Sequence, residues 1–100
     1  MITAQKAKEI MDVGRSVVIV DVRAQDEYDQ GHIAGAVLLP DYELASRAQT
    51  ELPDKDATLL VYCRSGRRSQ SAAQKPAAMD YTDVRDFGGV IDWPYGLVRQ

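Results

Sequence analysis

Val17-Val18-Ile19-Val20 is a continuous β-branched run with no polar residue alternating through it. A strand of this kind cannot offer one face to water, so it reads as a central strand covered on both sides. Val37-Leu38-Leu39 and Thr58 to Tyr62 have the same character. Helical patterns lie between these runs. Ala4, Ala7, Ile10 and Met11 form a stripe at helical spacing, with Thr3 placed to cap it and Gly14 to end it. Asp26 to Gln30 reads as a short acidic helical turn stopped by Gly31, and Tyr42 to Leu52 as a longer helix with Leu44, Ala45 and Ala48 on one side. After a surface turn at Pro53-Asp54-Lys55-Asp56, a further helix is expected from about Ser69 towards Met79. Val84 to Phe87 is the last short strand, and Gly88-Gly89 turns the chain into a final helical segment holding Ile91, Trp93 and Tyr95. Strands alternating with helices predict an α/β fold: a central parallel sheet of about five strands, helices on both faces, and right-handed crossovers.

One hundred residues are enough for one domain, 1–100, with a modest core. The net charge of -3 argues against general nucleic-acid binding, so clustered arginines form a local positive spot on an acidic surface. No apolar run approaches the roughly 20 residues that cross a bilayer, so no membrane contact is expected. A single cysteine permits no internal disulfide, which fits a reducing compartment. Met1 to Lys6 lacks the apolar segment of a signal peptide, so the cytoplasm is expected, or the periplasm where a signal has been removed.

The single cysteine, Cys63, opens the run Cys63-Arg64-Ser65-Gly66-Arg67-Arg68-Ser69 directly after a strand. In open parallel sheets ligands collect at the carboxyl ends of the strands, which is where Cys63 falls. Its reactive form is the thiolate, and an ordinary cysteine titrates near about 8.5. Arg64, Arg67 and Arg68 can stabilise that charge, and so can a cup of backbone N–H groups if the loop curls around the sulfur, a curl that Gly66 permits. The alternative is a packed structural thiol, which would gain nothing from arginines on both sides.

At this point the chain resembles a single-domain rhodanese. The resemblance rests on Val20-Asp21-Val22-Arg23 with Glu27-Tyr28 and Gly31-His32-Ile33-Ala34-Gly35-Ala36; on the Cys63 to Ser69 loop; and on Tyr81, Val84, Gly88-Gly89 and Trp93. It implies a thiosulfate sulfurtransferase in which Cys63 takes the outer sulfur of an anionic donor, carries it as a persulfide, and yields it to cyanide or a thiol. Arg64, Ser65, Gly66, Arg67, Arg68 and Ser69 would bind the substrate, at most two of the arginines facing the pocket. Arg68 has a second reading as a structural tie that fixes the loop through carbonyl hydrogen bonds. Related folds acting on phosphate or arsenate carry an arginine one place further along, where this chain has Ser69. The alternatives are a sulfur carrier or partner-docking module, with a protein as sulfur donor or acceptor, and a phosphatase or arsenate reductase.

Other residues read as structural. Asp21 and Arg23 end a strand on the same edge as Cys63, and an ion pair of Arg23 with Glu27 or Asp26 is expected. The family resemblance makes His32 part of an architectural turn, and one histidine with one cysteine is too few for zinc. Trp93 and Phe87 read as core. Asp80, Asp83, Asp86 and Asp92 read as a solvated acidic face without the spacing of a metal cage. No metal or cofactor is expected. Pro76 interrupts the helix after the loop, where its missing N–H would leave the Ala72 carbonyl unbonded at a cost of about 3 kcal/mol, so the helix should kink or stop early. Asp80 stands where the family usually has a left-handed glycine. Both departures threaten stability more than chemistry.

Overall fold

A computed structural model describes residues 1–99. Its elements in chain order are α1 (Ala4–Val13), β1 (Val17–Asp21), α2 (Gln25–Gln30), β2 (Val37–Leu38), α3 (Leu44–Glu51), β3 (Thr58–Cys63), α4 (Arg67–Ala72), α5 (Gln74–Ala78) and β4 (Asp83–Gly89), followed by a 3-10 turn at Val90–Asp92. The strands form one parallel sheet in the order β2-β1-β3-β4. The described residues therefore hold four strands rather than about five. The nearest approach to another is a single antiparallel bridge between His32 and Val98.

The central strand β3 shows why the β-branched runs alternate so little. Leu59, Val61 and Cys63 point into a cluster with Leu44, Ala48, Leu52, Ala72 and Tyr81. Leu60 and Tyr62 point the other way, into a cluster with Ala7, Ile33, Ala36, Phe87 and Trp93. Both faces are covered, and each fully buried large side chain contributes roughly 1.5–3 kcal/mol. Phe87 and Trp93 are core residues, as their apolar neighbours implied. Val37 and Leu38 are only half-buried, because β2 is an edge strand rather than a central one.

The caps follow from the residue types. Thr3 Oγ1 accepts the Lys6 N–H at 3.0 Å, and Gly14 closes α1 at φ +73°. Pro76 acts as expected: the helix after the loop stops at Ala72 and restarts at Gln74. Pro76 then lies in the first turn of α5, where a missing N–H has no intrahelical partner to lose. Asp80 takes up φ +72°, and the Tyr81 N–H reaches back to the Pro76 carbonyl at 3.1 Å, the long bond of a Schellman ending. No helix among the described residues is long and apolar enough to cross a membrane.

An aspartate in left-handed backbone is strained relative to glycine, though glycine loses more freedom on folding. Asp80→Gly is expected to raise stability by about 0.5–1 kcal/mol and Tm by roughly 4 °C, as read by thermal unfolding. A lower Tm would contradict the strain.

Candidate functional site

The loop after β3 folds tightly because two glycines let backbone approach backbone. Gly66 adopts φ +98°, and a Cβ at Gly89 would overlap the Arg64 carbonyl. The Ile91 N–H donates to that same carbonyl at 3.2 Å. Between Val61 and Cys63 the register with β4 slips by one residue, pairing Cys63 with Gly89. Such a bulge bends the strand and makes room for the loop.

Curled in this way, the loop turns its amides on the sulfur. The Gly66 N–H reaches Cys63 Sγ at 3.0 Å and the Ser69 N–H at 3.3 Å, and Ser69 Oγ lies 3.6 Å away. Cys63 is 1% exposed. Burial pushes the thiol up, but the Ser69 hydroxyl and the amides of Ser69, Gly66 and Ser65 together outweigh it, so Cys63 titrates below the ordinary thiol value. The expected amide cup is present, and α4 begins at Arg67 rather than near Ser69.

No arginine donates to the sulfur. Arg64 and Arg67 are exposed, and neither is in an ion pair among the described residues. Arg68 instead grips Glu27 of α2 with both ends of its guanidinium, at 2.7 and 2.8 Å. It is a structural tie, made through a carboxylate and not through loop carbonyls. Arg68 holds the Glu27 carboxyl down at about 2, and Glu27 also accepts the Ala24 N–H at 3.1 Å, which anchors the start of α2.

Arg23 corrects a second expectation. Its partner is Asp21, not Glu27 or Asp26, with Nη2 to Oδ2 at 2.7 Å, and it also donates to the Gly31 carbonyl at 2.7 Å. Asp21, 0% exposed, further accepts the Arg23 N–H and the Tyr62 hydroxyl. The Tyr62 oxygen accepts the Ile33 N–H at 3.1 Å. Both carboxylate oxygens of this buried pair are hydrogen-bonded, and the pair ties β1 and β3 to the segment that holds His32. His32 stacks on Tyr28 at 3.7 Å and bonds the Tyr28 carbonyl through Nδ1 at 2.9 Å, so it belongs to that turn rather than to the sulfur site.

The acidic face is divided. Asp83 pairs with Arg85 at 2.8 Å. Asp86 is not solvated: it is 7% exposed and accepts the Ser69 hydroxyl at 2.6 Å. Strand alternation with Val84, which packs on the cluster around Cys63, is the signal that could have placed it inward.

The family model of the rhodanese-like domain matches residues 3–93. The chain is 41% identical over 73 residues to the thiosulfate sulfurtransferase PspE of Escherichia coli, covering 73% of this chain and 70% of that protein. It is 36% identical over 93 residues to the putative sulfur carrier protein YrkF of Bacillus subtilis, covering 92% of this chain and 49% of that one. Among solved structures, a rhodanese with anions from Escherichia coli superposes with a TM-score of 0.78 at 37% identity, covering 84% of this chain and 99% of that chain.

The Glu27–Arg68 tie has a definite pH signature. A carboxyl lowered to about 2 from 4.5 adds stability that is complete above about pH 4.5 and is lost as pH falls through 2. Because the pair is partly exposed, Glu27→Gln is expected to cost only about 1–2 kcal/mol near neutrality. Urea unfolding should show that gap closing between pH 4.5 and the low end; a gap independent of pH would count against the assignment.

Proposed function

The chain belongs to the rhodanese-like domain family and is a sulfurtransferase of the rhodanese type, and from this we propose that residues 1–100 act as one domain whose nucleophile is Cys63. The observation that carries the reading is the pair of backbone N–H bonds to Sγ at 3.0 and 3.3 Å. Fixed donors of this kind stabilise negative charge on sulfur without reorganising when the charge appears.

The Cys63 thiolate attacks the outer sulfur of thiosulfate. A new S–S bond forms, the old one breaks, and its electron pair leaves with sulfite. The persulfide's terminal sulfur carries the charge and rests in the curl of Arg64 to Ser69. A thiophilic acceptor, a thiol or cyanide, then attacks that terminal sulfur, and Cys63 returns as thiolate. Arg64 and Arg67, exposed and in no ion pair among the described residues, draw the dianionic donor to the loop and hold the departing sulfite. Arg68, occupied by Glu27, keeps the loop in place instead. Arginine stands five positions after Cys63, at Arg68, and the sixth position is Ser69, the shorter loop spacing that favours sulfur transfer over phosphate or arsenate chemistry. A lone free thiol is best kept reduced in the cytoplasm, where thiol acceptors are plentiful.

Incubation with thiosulfate followed by intact-mass measurement is expected to show a gain of one sulfur atom, removed by cyanide and absent in Cys63→Ser. No gain from thiosulfate, with loading by a protein persulfide, would replace turnover by the carrier role that YrkF's name carries; hydrolysis of an aryl phosphate would overturn both.

The two exposed arginines are expected to act on binding more than on chemistry. Arg64→Ala and Arg67→Ala should each raise KM for thiosulfate about fivefold, the worth of one solvent-exposed charge contact, with kcat within about twofold. A loss confined to kcat would assign them to the transition state instead.

A further inference from the structure

The longest strand, β4, is also an edge strand: its seven residues pair with β3 and with no other strand among the described residues. The Tyr62 carbonyl accepts the Val22 N–H, so Tyr62 faces β1 and its neighbour Val61 faces β4. In a parallel pair, the residue opposite an inward-facing one turns away. Asp86, opposite Val61, and Val84, opposite Leu59, therefore direct their N–H and C=O groups to the outer edge. The Ile2 N–H agrees with this direction, donating to the Asp86 carbonyl at 2.9 Å. Among the described residues it is the one bond on that edge: the Val84 N–H, the Val84 carbonyl and the Asp86 N–H are left open.

Beside this edge lies a groove. Gln70, Ala73, Gln74 and Ala77, along α4 and α5, face Val84 and Ile2 across a cavity of about 350 Å³. A second cavity of about 200 Å³ shares Met1 and Gln70 with the first and reaches Ser65, Gly66 and Arg67 of the Cys63 loop. A strand edge that faces a helix across a groove is the geometry in which an extended peptide adds to a sheet: main-chain bonds supply affinity, and alternate side chains enter the groove. An open edge of this length is otherwise a template for uncontrolled pairing. The opposite edge, β2, has only two residues and offers no comparable template.

Charge selects the occupant. Along the groove, the Asp86 carboxylate is turned inward onto Ser69, and Arg85 is held by Asp83. Arg67 is exposed, is in no ion pair among the described residues, and lines the loop-side cavity together with Met1 and its ammonium, so that end of the groove is positive. We propose that the open edge of β4 is a docking site for an extended acidic segment of a partner protein, which pairs with Val84 and Asp86 as an added strand and ends beside the Cys63 loop. The docking goes beyond the sulfur chemistry and does not require Cys63 to be the nucleophile.

The probe is a synthetic peptide with blocked ends, matched in length to the seven residues of β4 and alternating valine and threonine between two terminal aspartates, with binding followed by amide NMR. Binding is expected to shift the Val84 and Asp86 amide signals and slow their hydrogen exchange about tenfold, while Arg85 and Phe87, which face β3, change little. Two further peptides carry N-methyl groups on alternate amides, one for each edge of the added strand. The one methylated on the edge that meets β4 should bind the wild-type protein about tenfold more weakly than the parent. Val84→Pro, which removes an outward N–H and leaves the β3 ladder alone, should weaken the parent peptide by a similar factor. No shift at millimolar peptide, both methylated forms binding like the parent, or shifts confined to the groove between α1 and Trp93 would each overturn the docking. Equal binding of a peptide with lysines in place of the aspartates would overturn the acidic assignment. Should the protein alone form dimers that Val84→Pro dissolves, the edge serves a second copy and the partner assignment falls. Because no sulfur donor is present, peptide binding by a protein that takes no sulfur from thiosulfate would leave the docking standing and sink the catalytic reading alone.

Discussion

The site depends on the close contact between the Arg64 carbonyl and the backbone of Gly89. A loop of this length can bring amides from Gly66 and Ser69 onto one sulfur only if its first residues lie flat against the neighbouring strand. Any side chain at Gly89 would fill the space that the Arg64 carbonyl occupies. The bulge that pairs Cys63 with Gly89 supplies the local bend, and the Ile91 N–H fixes the carbonyl from the other side. Remove the approach and the loop lifts, the two N–H bonds are lost, and Cys63 becomes an ordinary buried thiol whose charge burial opposes.

Around this contact the charged residues divide into two groups. Asp21 with Arg23, and Glu27 with Arg68, are spent on architecture: the first pair, inside the molecule, binds strand ends to the Gly31 turn, and the second straps α4 to α2. Both pairs use bidentate guanidinium geometry, which lysine could not reproduce. Arg64 and Arg67 are in no ion pair among the described residues and give an acidic protein a small positive patch beside its one thiol. The same type of residue, three times within five positions, thus stands in two different settings. What separates them is the presence of a carboxylate within reach.

Much of the fold could be read directly. The β-branched runs, the Thr3 cap, the Gly14 stop and the break at Pro76 all express local preferences that the folded chain leaves intact. Local preference does not say how many strands a sheet will have or which one lies at its edge, so β2 came out short and half-buried. Nor does it say which carboxylate an arginine finds. Arg23 chose Asp21 over Glu27 because Asp21 ends the same strand and is already committed to Tyr62, while Glu27 was drawn away by Arg68, far off in sequence.

The sequence by itself determined the chemistry on offer: one thiol at a strand end, a glycine where the loop must curl, arginines on both sides, and a positional pattern shared with the rhodaneses. Tertiary structure decided which of those groups meet. It aimed two amides at the sulfur, tied Arg68 to Glu27, and brought Asp86 from the supposed acidic face to within a hydrogen bond of Ser69. The reason is physical: residue type and spacing govern backbone conformation over a few positions, whereas contacts between β3, α4 and β4 depend on how separate strands register and on where buried side chains leave room.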